Sequence, residues 1–251
     1  YLKYDQKYIN EKEFNIDLEK IYKFNGNNIV YIMTSSGTTG EPKIIPINSN
    51  NLENYITNLN KIANFNSGDL FAQIPNLTFD ISMHDIFLAF YHHGTLVPVA
   101  TALAPFLIRV LNKMSINHLM AVPSYIDISL KNIKESVDSV QNVFLAGEAL
   151  RTDVANKIKK RFNQANCFNL YGPTECAIAV LFYKFSDKDN NKKFDQIPIG
   201  VPFISNEVFL SEEQELCISG KQVFEGYLSN NPSPFLYLNN KKYYKTGDIC
   251  R

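Results

Sequence analysis

The chain has 251 residues, 45% of them hydrophobic and 20% charged, the make-up of a globular protein long enough to bury a core as one or two domains. Lys+Arg and Asp+Glu stand at 25 each, so the formal net charge is zero. That balance points to neither a nucleic-acid-binding surface nor a polybasic membrane patch.

Residues 1–28 are polar and rich in Asn and Lys, and read as a linker with a short helix. Ile29–Met33 reads as a buried strand. Ser49 or Asn50 caps a helix whose apolar stripe, Leu52, Tyr55, Ile56, Leu59, Ile62 and Ala63, follows the i, i+3, i+4, i+7 spacing. Next come a strand over Phe71–Ile74, a helix over Ser82–Tyr91 and a strand over Thr95–Val99. A helix over Phe106–Met114, a strand over His118–Val122 and a helix from Ser124 to Leu130 continue the alternation. Val143–Ala146 is a strand, Thr152–Arg161 a helix and Cys167–Tyr171 a strand. Beyond residue 194 the pattern changes to short strands at Ile197–Ile199, Glu207–Leu210, Glu215–Ser219 and Lys242–Lys245. The short charge runs Lys188–Lys193 and Asn239–Lys242 read as solvated loops.

Strands alternating with helices imply an α/β unit over 29–194 with a mostly parallel sheet. Residues 195–251 form an antiparallel, barrel-like β-rich subdomain. In parallel sheets ligands sit beyond the carboxyl ends of the strands. The loops Thr34–Lys43, Gly147-Glu148-Ala149 and Tyr171–Glu175 all follow strands, so all three are expected on one edge of one sheet. The first is rich in glycine and hydroxyls and carries Lys43, a composition that suits phosphate, although its spacing is not that of a Walker A loop.

The four cysteines, Cys167, Cys176, Cys217 and Cys250, form no CxxC pair and have no His at ligand spacing. Reduced thiols in a cytosolic protein are therefore expected over a disulfide scaffold or zinc site. No apolar run reaches the ~18 residues of a membrane span. His92-His93-Gly94 reads as a helix end, where a histidine meets the helix dipole favourably.

Five stretches occur in order: Thr34–Lys43, Phe79-Asp80-Ile81-Ser82, Asn169–Glu175, Glu215–Gly220 running on to Gly226-Tyr227, and Tyr244-Lys245-Thr246-Gly247-Asp248. Together they resemble the core motifs of the adenylate-forming (AMP-binding) enzyme superfamily, with acyl-CoA synthetases, luciferases and amino-acid-activating domains. Val143–Leu150 and Tyr171–Ala179 look most like D-alanine–carrier protein ligases and peptide-synthetase adenylation domains. The resemblance implies an ATP-dependent ligase with Mg²⁺ that converts an amino-acid carboxylate to its adenylate. Transfer to the phosphopantetheine thiol of a carrier protein would follow.

The same resemblance distributes the roles. Ser35, Ser36, Gly37, Thr38, Thr39 and Gly40 would wrap the β- and γ-phosphates, with Lys43 nearby. Gly147, Glu148 and Ala149 would line the adenine slot, and Tyr171, within Asn169-Leu170-Tyr171-Gly172-Pro173-Thr174, would lie against the base. Glu175 would hold Mg²⁺ and Asp248 the ribose hydroxyls. Asp80 would pair with the substrate ammonium, or else serve as a helix N-cap. Ile81, His84, Phe144, Ala146, Leu170, Ile178 and Ala179 would surround a small to medium uncharged side chain.

Four positions depart from the family pattern: Ala146 where the D-alanine enzymes have Cys, Ser35 for Thr, Ile44 for Gly, and Gln214 for Gly. The family's N-terminal segment and its C-terminal small domain, with the lysine that faces the reacting carboxylate, are expected outside residues 1–251. A core fragment of this kind is expected to be nearly inactive alone. An acyl- or aryl-CoA synthetase and an inactive nucleotide-binding remnant are the alternatives, and Asp80 argues against the first.

Overall fold

A computed structural model describes residues 27–35, 42–131, 135–186 and 195–250. The expected linker and helix before residue 27 lies outside them, as does the charge run Lys188–Lys193. The main sheet has seven strands: β3 (Leu70–Gln73), β4 (Thr95–Pro98), β5 (His118–Ala121), β6 (Asn142–Leu145), β7 (Asn166–Tyr171), β8 (Leu181–Phe185) and β9 (Val201–Pro202). They lie in the order β4-β3-β5-β6-β7-β8-β9. β4 through β7 pair in parallel, while β8 and β9 are antiparallel additions. β8 and β9 have no counterpart in the sequence reading, and the sheet runs on to Pro202, past the expected boundary at 194.

Successive side chains of the parallel strands leave opposite faces, and the two faces bury different partners. Ala72, Leu119, Ala121, Val143 and Leu145 pack with residues of α3 (Leu107–Met114), α4 (Pro123–Leu130) and α5 (Thr152–Arg161). Phe71, Met120, Phe144 and Phe168 pack with α1 (Ser49–Leu59) and α2 (Ile81–Tyr91). The expected parallel α/β layer is therefore present, with helices on both sides.

The cap of α1 falls one residue before the expected Ser49. The Asn48 side chain accepts from the Asn51 N–H at 2.9 Å, and the Asn51 side chain accepts from the Asn48 N–H at 3.0 Å. This reciprocal box satisfies two otherwise unpaired donors. Helix α2 ends as expected at His92-His93-Gly94, with His93 at φ 54. A Cβ at Gly94 would meet the Asp69 carbonyl at 2.6 Å, so the sharp descent into β4 requires glycine.

Two expectations are corrected at the chain's start. β1 (Ile29–Ser35) is not a buried strand of the main sheet. It pairs antiparallel with β2 (Lys43–Asn48), a strand absent from the sequence reading, in a separate two-stranded sheet with Ser35 opposite Lys43. Ile29 and Ile32 are about half exposed.

The β-rich tail contains β10 (Asn206–Leu210), β11 (Glu215–Gly220), β12 (Phe235–Leu238) and β13 (Lys241–Ile249), ordered β10-β11-β13-β12 and antiparallel throughout. Ile197–Ile199 is not a strand; the Ile197 amide donates instead to the Leu150 carbonyl at 2.8 Å. The tail's enclosure comes from the β1–β2 hairpin, whose Ile45 and Ile47 pack on Leu216, Ile218, Phe224 and Tyr244. Gln214, where the family pattern has glycine, sits at φ 64 in the turn before β11, the left-handed region that glycine favours.

Candidate functional site

The site is organised by the tight turn that follows β7. The Val180 amide donates to the Tyr171 carbonyl at 2.8 Å, so the chain doubles back within nine residues. A Cβ on Gly172 would stand 2.5 Å from the Ala179 Cα, and only a glycine permits that approach. Ala177 and Ile178 take positive φ values of 52 and 75, rare for a β-branched residue and costly without support from the surroundings.

Asp80 precedes α2 and is 8% exposed. Its backbone is helical, at φ −64 and ψ −22, and its side chain makes no capping bond, so the helix-cap alternative does not hold. Its Oδ2 has no hydrogen-bond partner among the described residues. Burial pushes its carboxyl up to about 7; the Ile178 amide and Thr174 hydroxyl pull it down and the Glu175 charge pushes it up. A desolvated carboxylate in this state is short of a cation.

Asp80 opens onto a cavity of about 570 Å³ beyond the carboxyl ends of β3, β5, β6 and β7. Ile81, Gly147, Glu148, Gly172, Pro173 and Thr174 share its walls. Gly147 has φ 81, and Glu148 is held by Ser124, whose N–H and hydroxyl donate to its carboxylate at 3.0 and 2.8 Å. Ala149 is exposed beside them.

The other expected substrate residues lie deeper. Phe144, Ala146, Leu170, Ile178 and Ala179 are buried in the same apolar cluster as Ile81 and do not line the cavity. His84 is fully buried, 4.7 Å from the Phe144 ring, and its Nδ1 meets the Tyr55 hydroxyl at 2.6 Å. Burial pushes its imidazole down to about 3, so it is neutral and adds no charge.

The Tyr171 hydroxyl donates to the Asp248 carboxylate, which brings the β7 turn and β13 together. Asn169 does not turn to this contact. Its amide donates to the carbonyls of Ile197 and Pro198, at 3.3 and 2.9 Å, and ties that segment to β7. Leu170 belongs to the buried cluster.

The glycine-rich loop does not share an edge with the other two loops on one sheet, contrary to the sequence expectation. It connects β1 to β2, and Ser36, Gly37, Thr38, Thr39 and Gly40 lie outside the described residues. Lys43, at its far end, approaches the β7 turn through a third segment. The Tyr227 hydroxyl donates to Glu175 Oε1 at 2.8 Å, and Lys43 Nζ lies 5.3 Å from the Tyr227 ring centroid. Glu175 is 6% exposed. Among the described residues, no group of three or more His, Cys, Asp or Glu side chains could hold a metal alone. A single carboxylate still fits Mg²⁺, which takes one or two and completes its shell with phosphate and water.

Sequence reasoning passed over Tyr227, Tyr244 and Asp85. The first two sit in motifs quoted for their neighbours. Asp85 is fully buried with both carboxylate oxygens unpartnered, and burial raises its carboxyl well above the usual range. Its i+5 offset from Asp80 hides it in the sequence pattern.

A family model described as AMP-binding enzyme matches residues 2–228. The D-alanine–D-alanyl carrier protein ligase of Lactiplantibacillus plantarum is 30% identical over 255 residues, covering 93% of this chain and 50% of that protein. The ligase of the same name from Bacillus licheniformis is 28% identical over 242 residues, covering 89% and 48%. The chain thus spans about half the length of the curated relatives it matches. The Vibrio cholerae adenylation domain AlmE, solved with glycyl-adenosine-5'-phosphate, superposes with a TM-score of 0.80 at 31% identity, covering 89% of this chain and 46% of that one.

Proposed function

From the premise that this chain belongs to the AMP-binding enzyme family, we propose that the protein activates a small α-amino acid as its adenylate, at the expense of ATP. The observation that carries this reading is the buried Asp80 carboxylate, with Oδ2 unpartnered, on the wall of the cavity. A substrate ammonium supplies the missing cation, whereas a fatty or aryl acid has none to offer. The buried rings of Phe144 and His84, with centroids 4.7 Å apart, support a side chain of the size found in glycine or alanine. The relatives' names, a D-alanyl carrier protein ligase and a domain bound to glycyl-adenosine phosphate, agree with that size.

In this reading an oxygen of the substrate carboxylate attacks the α-phosphorus of ATP and pyrophosphate leaves. Such chemistry is accelerated mainly by positioning and charge stabilisation. Asp80 anchors the ammonium. Gly147, Glu148 and Ala149 border the base, Tyr171 lies against it, and Asp248 accepts from the ribose hydroxyls. The Ser35–Lys43 loop faces the β- and γ-phosphates. Glu175 would hold Mg²⁺, which, when bound, would spread the phosphate charge. A carrier-protein thiolate then attacks the acyl carbon and releases AMP, the step the ligase relatives' names suggest. A cytoplasmic location, with its ATP supply, fits this chemistry.

The test is ATP–pyrophosphate exchange by the full-length protein, screened over amino acids and over fatty and aryl acids. Exchange that depends on glycine or alanine is expected. Exchange with acyl or aryl acids alone would establish a CoA-ligase type of activity, and none at all a nucleotide-binding remnant.

A further inference from the structure

Glu175 is held by more than its own turn. The Phe224 amide donates to its carbonyl at 2.8 Å, and the Tyr227 hydroxyl donates to its Oε1 at 2.8 Å. The Tyr227 ring packs edge-on against Phe224, with centroids 4.9 Å apart and planes at 64°. The chain on either side cannot drift: the Leu228 amide donates to the Ile44 carbonyl at 2.9 Å, and the Ile44 amide to Ser229 Oγ at 3.0 Å. Lys43, the last residue of the glycine-rich loop, lies against the same ring at 5.3 Å from Nζ to centroid. One phenol therefore touches the carboxylate of the β7 turn and the lysine of the hairpin.

We infer that Tyr227 is a positioning residue that orients the Glu175 carboxylate toward the metal-bound triphosphate and sets Lys43 beside it. The inference rests on the reading of Glu175 as the metal-holding residue. A carboxylate on a short turn can rotate about its own side chain. A phenol bond at Oε1, with the Tyr244 hydroxyl also bonded to the carboxylate, restrains its plane, the way outer-shell partners commonly orient a ligand.

The experiment compares the full-length protein with its Tyr227→Phe, Glu175→Gln and doubly substituted forms. Phenylalanine keeps the ring and its contact with Phe224, so the fold is retained. Mn²⁺ binding in the presence of a non-hydrolysable ATP analogue is followed by electron paramagnetic resonance, and analogue binding is measured separately in EDTA. Loss of an outer-shell partner typically weakens metal affinity about 10-fold or more. Tyr227→Phe is therefore expected to weaken Mn²⁺ about 10-fold while metal-free analogue binding stays unchanged. The double substitution should be no weaker than Glu175→Gln alone, because the phenol acts through that carboxylate. If Glu175→Gln weakens Mn²⁺ and Tyr227→Phe does not, the positioning role is wrong. If Glu175→Gln itself leaves Mn²⁺ binding unchanged, the metal assignment fails and the inference with it.

Discussion

The Tyr171 hydroxyl donates to the Asp248 carboxylate across 77 residues of sequence. The bond fastens the turn after β7 to β13, and neither residue is fully buried. It gives Asp248 one fixed donor and leaves the rest of its acceptor capacity for a ligand.

Asp248→Ala is expected to weaken ATP far more than Tyr171→Phe does. Two hydrogen bonds to a carboxylate are together worth roughly 3 kcal/mol, about 100-fold in affinity. Tyr171→Phe keeps the ring and removes only the hydroxyl, so a change within about threefold is expected. Calorimetric ATP titration of both variants checks this, and equal losses would mean that the Tyr171 hydroxyl itself holds the nucleotide.

Asp80→Asn should separate function from stability. Loss of a helix cap costs about 0.5–2 kcal/mol, but Asp80 makes no capping bond. Removing its buried charge should instead raise the melting temperature of the ligand-free protein at pH 8. Amino-acid-dependent exchange should fall by at least about 30-fold, since an unpaired partner costs ~2–3 kcal/mol. Differential scanning calorimetry alongside exchange assays reads both; unchanged exchange would reduce Asp80 to a structural residue.

The same group sets a pH dependence. Its folded carboxyl is raised from 3.8 to about 7, so between those values the native state holds a proton that the unfolded chain has lost. The contribution of Asp80 to stability is therefore undiminished below 3.8, falls as pH rises through this window, and levels off above about 7. Glu175 adds to the upward shift, and the neighbouring groups that feel the Asp80 charge are Tyr31 of β1, Tyr55 of α1 and Cys176 of the turn. Amino-acid binding needs the ionised form, so kcat/KM for the amino acid should rise from pH 6 to pH 8. Asp80→Asn should flatten that rise. A profile that keeps its step in the variant would assign it to another group.

Gly172→Ala is expected to be severely destabilising. The added methyl would lie 2.5 Å from the Ala179 Cα, and backbone cannot yield as a side-chain tip does. The strained Ala177–Ile178 turn would have to reopen, and Asp80 would lose the Ile178 amide. Thermal melting and soluble yield measure the effect; a melting temperature within 2 °C of wild type, about 0.5–1 kcal/mol for this size, would contradict the close packing.

The sequence by itself determined the layer that local rules govern. The apolar stripe from Leu52 to Leu59 and the limits of Thr152–Arg161 were legible because helix period and end signals act within a few residues, although the stripe was read on to Ile62 and Ala63, beyond the helix end at Leu59. The alternation of elements was enough for a parallel sheet, and the ordered motifs were enough for the family. Only the tertiary structure decided where β1 went. Strand pairing is a choice among distant partners, and a short apolar run carries no mark of which sheet will take it, so Ile29–Ser35 joined β2 in a separate two-stranded sheet. Tertiary contacts likewise assigned Asn169 to the carbonyls of Ile197 and Pro198, left Asp80 without a cap bond, and set Tyr227 against Glu175. Each of these is fixed by burial and hydrogen bonding between segments far apart in the chain, and residue type at a given spacing does not encode that information.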